Sequence, residues 1–259
     1  MSKSPALRFR WQARFGSTAA ALLLCAFGLT SPASAGTVTL CPSQAGIGSI
    51  GGIGQSSSYV PGPLDSTCGA NSAVQINIPT SSDYGRLAFS SSTPGYPAGL
   101  TLGGLAGASA NVSFSGGAGD QPYYILVFTD SSDSLGQAAA TDQIIMLEFQ
   151  SAALVGTTLA LDPASTLFNV YDNTTDAYLQ GGQQNAHSLD YWLGLKPFLA
   201  GESLDQIRIA EGLAGGSGPA ESMTVNSLSV TTVPEPLTLL LFGAGIVGLG
   251  AFCRRKKAA

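Results

Sequence analysis

The stretch Ala73-Val74-Gln75-Ile76-Asn77-Ile78 decides the fold class, because apolar and polar side chains alternate along it. Successive side chains of a β-strand point to opposite faces, so a period of two predicts a strand with one buried face. The same alternation returns further along the chain at Leu87/Phe89, Val112/Phe114, Leu159/Leu161, Phe168/Val170, Ile207/Ile209 and Met223/Val225.

Three further segments modify this pattern. The runs Tyr123 to Phe128 and Ile144 to Phe149 are apolar apart from Glu148, which is typical of strands buried on both faces. Leu228 and Val230 are out of phase with Met223 and Val225, so a β-bulge is predicted near Asn226-Ser227. Short helices are expected only within residues 135–142 and 187–195.

Turn-forming clusters of Gly, Ser, Asp and Pro separate these segments. About nine to twelve short strands joined by such turns predict an all-β fold, a β-sandwich of jelly-roll type. The segment Leu204 to Ile209, followed by a loop and a final strand, also resembles concanavalin-like lectin domains of other exported proteins. That likeness concerns the fold alone and implies no binding residues.

The N-terminus has the three parts of a secretory signal peptide. A basic region that includes Arg8 and Arg14 precedes an apolar core from Ala19 to Leu29, which is too short to span a membrane. Ala33-Ser34-Ala35 is a small-residue cleavage site, so cleavage is expected between Ala35 and Gly36.

The C-terminus has three parts of its own. Pro234-Glu235-Pro236 is followed by an uncharged apolar segment, residues 237–252, and then by four cations. As a helix the apolar segment would span roughly 24 Å, somewhat less than the ~30 Å core of a bilayer. The cations favour the cytoplasmic side of the membrane; they are Arg254, Arg255, Lys256 and Lys257.

This order of Pro-Glu-Pro, apolar helix and basic end resembles the PEP-CTERM sorting signal. The resemblance covers about a tenth of the chain, and the N-terminal export signal strengthens it. It implies export from a Gram-negative bacterium, recognition by the membrane-embedded protease exosortase, and cleavage near Pro-Glu-Pro. It also implies an association with exopolysaccharide or biofilm. The alternative interpretation is a membrane anchor that is never cut.

Charge is distributed unevenly along the chain. Of 11 basic and 16 acidic residues, only Arg86, Lys196 and Arg208 among the cations fall within residues 36–233, together with 15 of the acids. The exported part therefore has a net charge of −12, which excludes nucleic acid as a natural partner. With three cations it forms few salt bridges, so the fold must depend on apolar burial and backbone hydrogen bonds.

Two cysteines, Cys41 and Cys68, lie in the exported part. In an oxidising compartment they are expected to form a disulfide, which closes a loop of about 28 residues and stabilises by roughly 3–4 kcal/mol. The glycine-rich residues 46–54 are predicted to form a loop beneath it. A free pair of thiols is the alternative.

Catalytic patterns are weak. His187 is the only histidine, no Gly-x-Ser-x-Gly motif occurs, and a histidine-rich metal site is excluded. Glu148 is the one acid inside an apolar strand; it is interpreted as an outward position of an edge strand, with a general acid facing a cleft as the alternative. The rival function class is an extracellular carbohydrate-active enzyme using two carboxylates.

Two binding sites remain as weaker candidates. Calcium is the one cofactor that the acidic turns would suit, through Asp130, Asp133, Asp172 and Asp176, although Asx-turns explain these residues equally well. Tyr191 and Trp192 are speculative candidates for glycan contact, although a core role is the commoner one for a tryptophan.

Together these observations predict a signal peptide (residues 1–35), an exported β-sandwich (36–231) and a sorting signal (232–259). We expect a non-enzymatic protein of the cell surface or extracellular matrix, with a structural, adhesive or glycan-binding role. Its expected partners are exosortase, the membrane through residues 237–252, and exopolysaccharide. A permanently anchored envelope protein is the third alternative.

Overall fold

The last strand of the sandwich is also its longest. In the computed structural model, which describes residues 36–45, 50–61, 67–69, 72–80, 83–115, 121–129, 143–148, 151–172, 177–179, 185–212 and 220–233, Glu221 to Thr232 form one continuous strand of 12 residues. Within those ranges the chain forms 15 strands in two antiparallel sheets.

The strands run in chain order as β1 (Gly36–Leu40), β2 (Ile50–Ile53), β3 (Ser56–Val60), β4 (Ala73–Ile78), β5 (Tyr84–Ser90), β6 (Leu105–Ser115), β7 (Tyr123–Thr129), β8 (Gln143–Glu148), β9 (Ala153–Val155), β10 (Thr158–Leu161), β11 (Leu167–Asp172), β12 (Ala177–Tyr178), β13 (His187–Ser188), β14 (Leu204–Glu211) and β15 (Glu221–Thr232). The helices are α1 (Pro42–Ala45), α2 (Leu189–Leu195) and a 3₁₀ helix (Pro197–Gly201). The predicted helix within residues 187–195 is confirmed as α2, whereas residues 135–142 lie outside the described ranges.

The strand order has jelly-roll topology. Sheet I runs β3-β4-β15-β6-β10-β9 with β1 also beside β15, and sheet II runs β12-β11-β8-β7-β14-β5-β2 with β13 also beside β11. The inner strands are thus β4-β15-β6-β10 in one sheet and β5-β14-β7-β8 in the other. Consecutive strands such as β4 and β5, β6 and β7, or β14 and β15 lie in opposite sheets, which confirms the predicted β-sandwich.

The alternating residues line the space between the two sheets. Val74, Ile76 and Ile78 are fully buried in the main apolar cluster, together with Leu87 and Phe89 from the facing sheet. The unbroken run of β7 is buried on both faces, as predicted. In β8, however, Ile144 and Met146 are buried while Ile145 and Leu147 are only half-buried, so the prediction of burial on both faces is wrong there; Phe149 lies outside the described ranges.

The predicted bulge is confirmed in β15. Val225 pairs with Val112 and Ser227 with Asn111, so Asn226 is the extra residue opposite β6. Its side-chain amide donates a hydrogen bond of 3.0 Å to the Asn111 side-chain oxygen. The extra residue explains why the apolar phase changes between Val225 and Leu228.

The glycine-rich segment differs from its prediction as a loop. Residues 50–53 form strand β2, which pairs with β5 at the edge of sheet II. Gly52 makes this possible, because its φ of +148° and the closeness of the Tyr84 carbonyl oxygen would exclude a side chain. Serine and glycine give β2 and β3 no alternation, and β9, β12 and β13 have only two or three residues each, which is why more strands exist than predicted.

The disulfide between Cys41 and Cys68 is present, with the two Cα atoms 5.4 Å apart. Cys41 directly follows β1, and Cys68 lies on the connection that leads into β4. Both strands pair with the same side of β15, β4 with its first half and β1 with its second half. The bridge therefore joins the two short strands that together cover one edge of β15.

No helix in the described part of the chain has the length and apolarity needed to cross a bilayer. The predicted membrane segment, residues 237–252, lies outside the described ranges, as do the basic residues Arg254, Arg255, Lys256 and Lys257.

Replacing both Cys41 and Cys68 by alanine should lower the free energy of unfolding by about 3–4 kcal/mol, since the unfolded chain loses its cross-link. Denaturant unfolding of the oxidised wild type and the double variant measures the difference. As a control, a reducing agent should bring the wild type to the stability of the variant and leave the variant unchanged. Equal stability of the two oxidised proteins would contradict the expected contribution.

Candidate functional site: the outer face of sheet II

The two ends of the exported part meet at one place in sheet I. Gly36, the expected first residue after signal-peptide cleavage, pairs with Thr232 at the end of β15. The Val233 amide donates a 2.8 Å hydrogen bond to the Gly104 carbonyl oxygen, and Pro234 is the next residue. The sorting signal thus begins directly where the central strand ends. The residues Ala33, Ala35, Pro234, Glu235 and Pro236 lie outside the described ranges.

A second group of side chains lies on the outer face of sheet II, opposite the core. Tyr123, Ile125, Val127 and Ala210 form a small apolar cluster there, separate from the main core. Polar and aromatic side chains occupy the positions around this cluster. We call the following six residues the outer face of sheet II: Tyr84, Arg86, Tyr123, Asn169, Gln206 and Arg208.

The register of the strands places these residues in rows across the sheet. Asn169 pairs with Leu147, Leu147 with Ile125, and Ile125 with Arg208, so all four side chains lie in one row over four strands. Neighbouring strands are about 4.8 Å apart, which places Asn169 and Arg208 roughly 14 Å from each other.

Two of the three cations of the exported part lie side by side on this face. Arg208 pairs with Ala88, and Arg86 pairs with Ala210. The two arginines are therefore diagonal neighbours on adjacent strands, about 7–8 Å apart. The Arg86 guanidinium carbon is 6.0 Å from the centre of the Tyr84 ring. Its side chain also lies across Gly51 of β2, where an added Cβ would be 3.0 Å from Arg86 Nε.

Arg208 is almost wholly buried, with 5% of its surface exposed. Its Nε donates a 2.7 Å hydrogen bond to the Gln206 side-chain oxygen. Burial, together with the neighbouring Arg86 charge, lowers the pKa of Arg208 to about 10. Among the described residues no carboxylate forms an ion pair with either arginine, although this part of the protein is strongly acidic.

Other polar groups of the same face differ in whether they have hydrogen-bond partners. The Tyr123 hydroxyl donates to the Gly212 carbonyl oxygen at 2.9 Å. Asn169 is only 1% exposed, and neither its amide nitrogen nor its side-chain oxygen has a hydrogen-bond partner. A buried amide without hydrogen-bond partners costs the fold roughly 1–3 kcal/mol.

Sequence reasoning did not single out this face. In the sequence, Arg86 and Arg208 stand out only as two of the three cations of the exported part, and no pattern marks Asn169. A signal was present, because both arginines occupy outward positions of alternating strands, between Gly85 and Leu87 and between Ile207 and Ile209. What the sequence lacks is the order of strands in the sheet, which brings β5 and β14 together.

Glu148 is not on an edge strand, so the preferred interpretation of this residue is wrong. It ends β8, which lies between β7 and β11, and only 2% of its surface is exposed. One carboxylate oxygen accepts hydrogen bonds from the backbone N–H groups of Ser151 and Ala152, and the other accepts from Tyr124 N at 3.1 Å. The carboxylate therefore satisfies backbone donors at the β8–β9 turn.

Burial raises the pKa of Glu148 above its ordinary value, and these hydrogen bonds oppose that shift without cancelling it. A raised pKa suits a general acid, but an acid also needs access to substrate. The buried oxygens already have their partners within the turn, which favours a structural role.

The two residues of the predicted glycan-binding pair have different environments: Tyr191 is exposed and Trp192 is buried. Tyr191 is 47% exposed on α2, and its ring stacks on His187 with centroids 3.9 Å apart. Trp192 is 1% exposed and its indole N–H donates to the Phe168 carbonyl oxygen at 3.0 Å, so the proposed contact by Trp192 is corrected to a core role. His187 Nε2 lies 2.8 Å from the Asn185 side-chain oxygen.

The calcium candidates do not form a site that the structure describes. Asp172 is fully buried at the end of β11 rather than in a turn, because it continues the inward phase of Phe168 and Val170. Asp130, Asp133 and Asp176 lie outside the described ranges. Within the described part of the chain no group of three acidic, histidine or cysteine residues is arranged to hold a metal ion.

Comparison with known proteins identifies one segment. The PEP-CTERM protein-sorting motif matches residues 232–256, so the chain carries this motif and is an exported protein. No curated protein matches the sequence. Among solved structures, the solution structure of CtCBM11, reported with its dynamics and binding studies, matches at 12% identity with a TM-score of 0.38, over 79% of this chain and 99% of that one.

Replacing Glu148 by glutamine tests its role in the turn. The amide nitrogen cannot accept the backbone hydrogen bonds, so the variant should be less stable by about 1–3 kcal/mol near the ordinary glutamate pKa. Because the pKa is raised on folding, the wild type loses stability as pH rises from that value through the raised pKa.

The variant lacks this titration, so its stability deficit should shrink as pH rises over that window. Denaturant unfolding of both proteins at a series of pH values measures the deficit. Two parallel stability curves would contradict the raised pKa, and equal stabilities would contradict the role of the hydrogen bonds.

Proposed function

We propose that this chain is an exosortase-processed protein of the cell surface or extracellular matrix of a Gram-negative bacterium, and that it binds carbohydrate without catalysing a reaction. The observation that carries the sorting half is the PEP-CTERM motif at residues 232–256, which implies exosortase and a membrane-anchored intermediate. Association with exopolysaccharide or biofilm follows from the same reasoning and is part of the proposal.

The geometry of the tail supports processing of a folded protein. Residues 221–232 form β15, the central strand of sheet I. The next residue, Val233, donates its backbone N–H to the carbonyl oxygen of Gly104, which directly precedes β6. Cleavage at or after Pro234 leaves every described strand of the two sheets intact. A protease can therefore release or transfer the sandwich without costing it a strand.

The outer face of sheet II supports the carbohydrate-binding half. Sugars are recognised by aromatic rings that pack against their apolar faces and by planar polar groups that hydrogen-bond to their hydroxyls. Tyr84 and Gln206, both partly exposed, offer these groups on one surface. The stack of Tyr191 on His187 is a second surface of this kind, smaller and on α2.

A non-enzymatic role is supported by the state of the best catalytic candidate. Glu148 is buried and accepts hydrogen bonds from its own turn. The rival function, a carbohydrate-active enzyme, would need two accessible carboxylates about 5–10 Å apart. A permanent membrane anchor remains the alternative to processing, and the experiment on Glu235 separates the two.

Replacing Glu235 by alanine should leave an uncut, membrane-bound form, because the protease loses the charged residue of its motif. Intact mass spectrometry of the protein from membranes and medium of the native host measures the C-terminus. The wild type should end near Pro236, and any additional mass would identify the group attached there. Equal release of wild type and variant, or a wild type that retains Arg254 to Ala259, would contradict processing at this motif.

A panel of neutral and acidic oligosaccharides tests carbohydrate binding. Gln206→Ala should weaken binding about 3- to 10-fold if the outer face is the site, because one hydrogen bond contributes about 0.5–1.5 kcal/mol. Tyr191→Ala is the matched control on α2 and should bind as the wild type does. A loss confined to Tyr191→Ala would move the site to α2, and release of reducing sugars during incubation would favour the enzyme.

A further inference from the structure

Two neighbouring positive charges, Arg86 and Arg208, cost the fold stability. Two guanidinium groups lie on diagonal positions of neighbouring strands, and one of them, Arg208, is 95% removed from solvent. In the described residues neither arginine has an acidic partner. Like charges next to each other in a partly desolvated place destabilise a folded protein, and they persist where function requires them.

The acidic composition of the exported part makes two adjacent arginines without an acidic partner unexpected. The exported part has three cations and 15 acids, so an arginine placed at random would readily find a carboxylate. Instead two of the three cations lie together on one face of one sheet. The Gln206 side chain orients Arg208 through its Nε and leaves the two terminal nitrogens of the guanidinium for another acceptor.

We infer that the outer face of sheet II binds an acidic sugar chain, with the Arg208 and Arg86 guanidinium groups pairing with a sugar carboxylate beside the Tyr84 ring. This inference rests on the proposed carbohydrate-binding function and specifies the chemical class of the ligand.

The geometry of the groups fits a carboxylate-bearing sugar. A guanidinium presents parallel N–H donors that match the two oxygens of a carboxylate. Tyr84, whose ring centre is 6.0 Å from the Arg86 guanidinium carbon, adds an aromatic ring beside the two arginines.

The net charge of −12 restricts the ligand further. A long and densely charged polyanion would be repelled by the protein as a whole, so affinity must come from contacts on this face. At about 0.15 M salt the Debye length is about 8 Å, and charges elsewhere on the surface then contribute little. A short acidic oligosaccharide at this salt concentration is therefore the appropriate probe.

The test compares trigalacturonate with galactotriose, which has the same linkage and ring but CH₂OH in place of each carboxylate. Calorimetry on the exported full-length chain, kept in a mild non-ionic detergent at about 0.15 M salt, should give at least tenfold tighter binding of the acidic trisaccharide. Arg208→Gln and Arg86→Gln should each weaken its binding about tenfold and leave binding of the neutral one unchanged.

Lys196→Gln is the matched control, because it removes the third cation of the exported part at the end of α2. Its affinity for trigalacturonate should equal that of the wild type. Thermal unfolding supplies an independent readout: removing one of two adjacent like charges should leave Arg208→Gln at least as stable as the wild type. Loss of affinity together with retained stability would support a ligand-binding role.

Several results would overturn the inference. Equal affinity for the two trisaccharides would do so while leaving carbohydrate binding in place, and an equal loss in Lys196→Gln would reduce the effect to overall charge. Absence of binding to trigalacturonate also overturns it, and carbohydrate binding is then decided by the oligosaccharide panel. If Arg208→Gln unfolds at a lower temperature than the wild type and Arg86→Gln binds trigalacturonate normally, the role of Arg208 is structural.

Discussion

The fold depends on β15, the last strand of the sandwich to be synthesised. β15 pairs with β6 along almost its whole length on one side, and with β4 and β1 in succession on the other. Without it, sheet I separates into a β3–β4 hairpin, an isolated β1 and the β6-β10-β9 group. Contacts between residues so distant in sequence form slowly, because the entropy of closing the intervening chain is lost first. The sandwich is therefore completed only when residues 221–232 have been synthesised and exported.

This constraint connects folding to sorting. The segment that completes sheet I is the one that directly precedes Pro234, so a processed C-terminus follows a strand that is already paired on both sides. The register of Gly36 with Thr232 places the new N-terminus at the same position. The disulfide acts on the opposite end of β1, where Cys41 joins the connection into β4. Both edges of the late strand are thus held by elements that precede it in the sequence.

Much of the sandwich was predictable because its physical origin is local. Alternation in β4, β5 and β10 follows from the pleat of a strand, and the phase change in β15 required an extra residue, which is Asn226. Strand order is not local. Glu148 was interpreted as an edge position since the sequence of β8 does not reveal that β7 and β11 lie on its two sides.

The same limit applies to the candidate site. Arg86 and Arg208 are 122 positions apart, and each alone resembles an ordinary outward residue of a strand. Their proximity arises from the pairing of β5 with β14, and Asn169 joins them through two further strands. Trp192 was ambiguous for a different reason, because a tryptophan beside an exposed tyrosine fits either a platform or a core, and only the distance to the Phe168 carbonyl decides.

The two functional regions belong to different sheets, and this separation has a physical consequence. The sorting signal continues from β15 in sheet I, whereas the arginine pair lies on the side of sheet II that faces away from sheet I. The core between the sheets is continuous and mostly apolar, and a buried hydrogen bond of 2.8 Å from the Tyr124 hydroxyl of β7 to the Leu159 carbonyl oxygen of β10 crosses it. Attachment after β15 and binding at the arginine pair, as proposed, therefore involve different sheets. In a domain with three cations, leaving two of them unpaired is costly, and a ligand whose own charge completes the face offsets that cost only when it is bound.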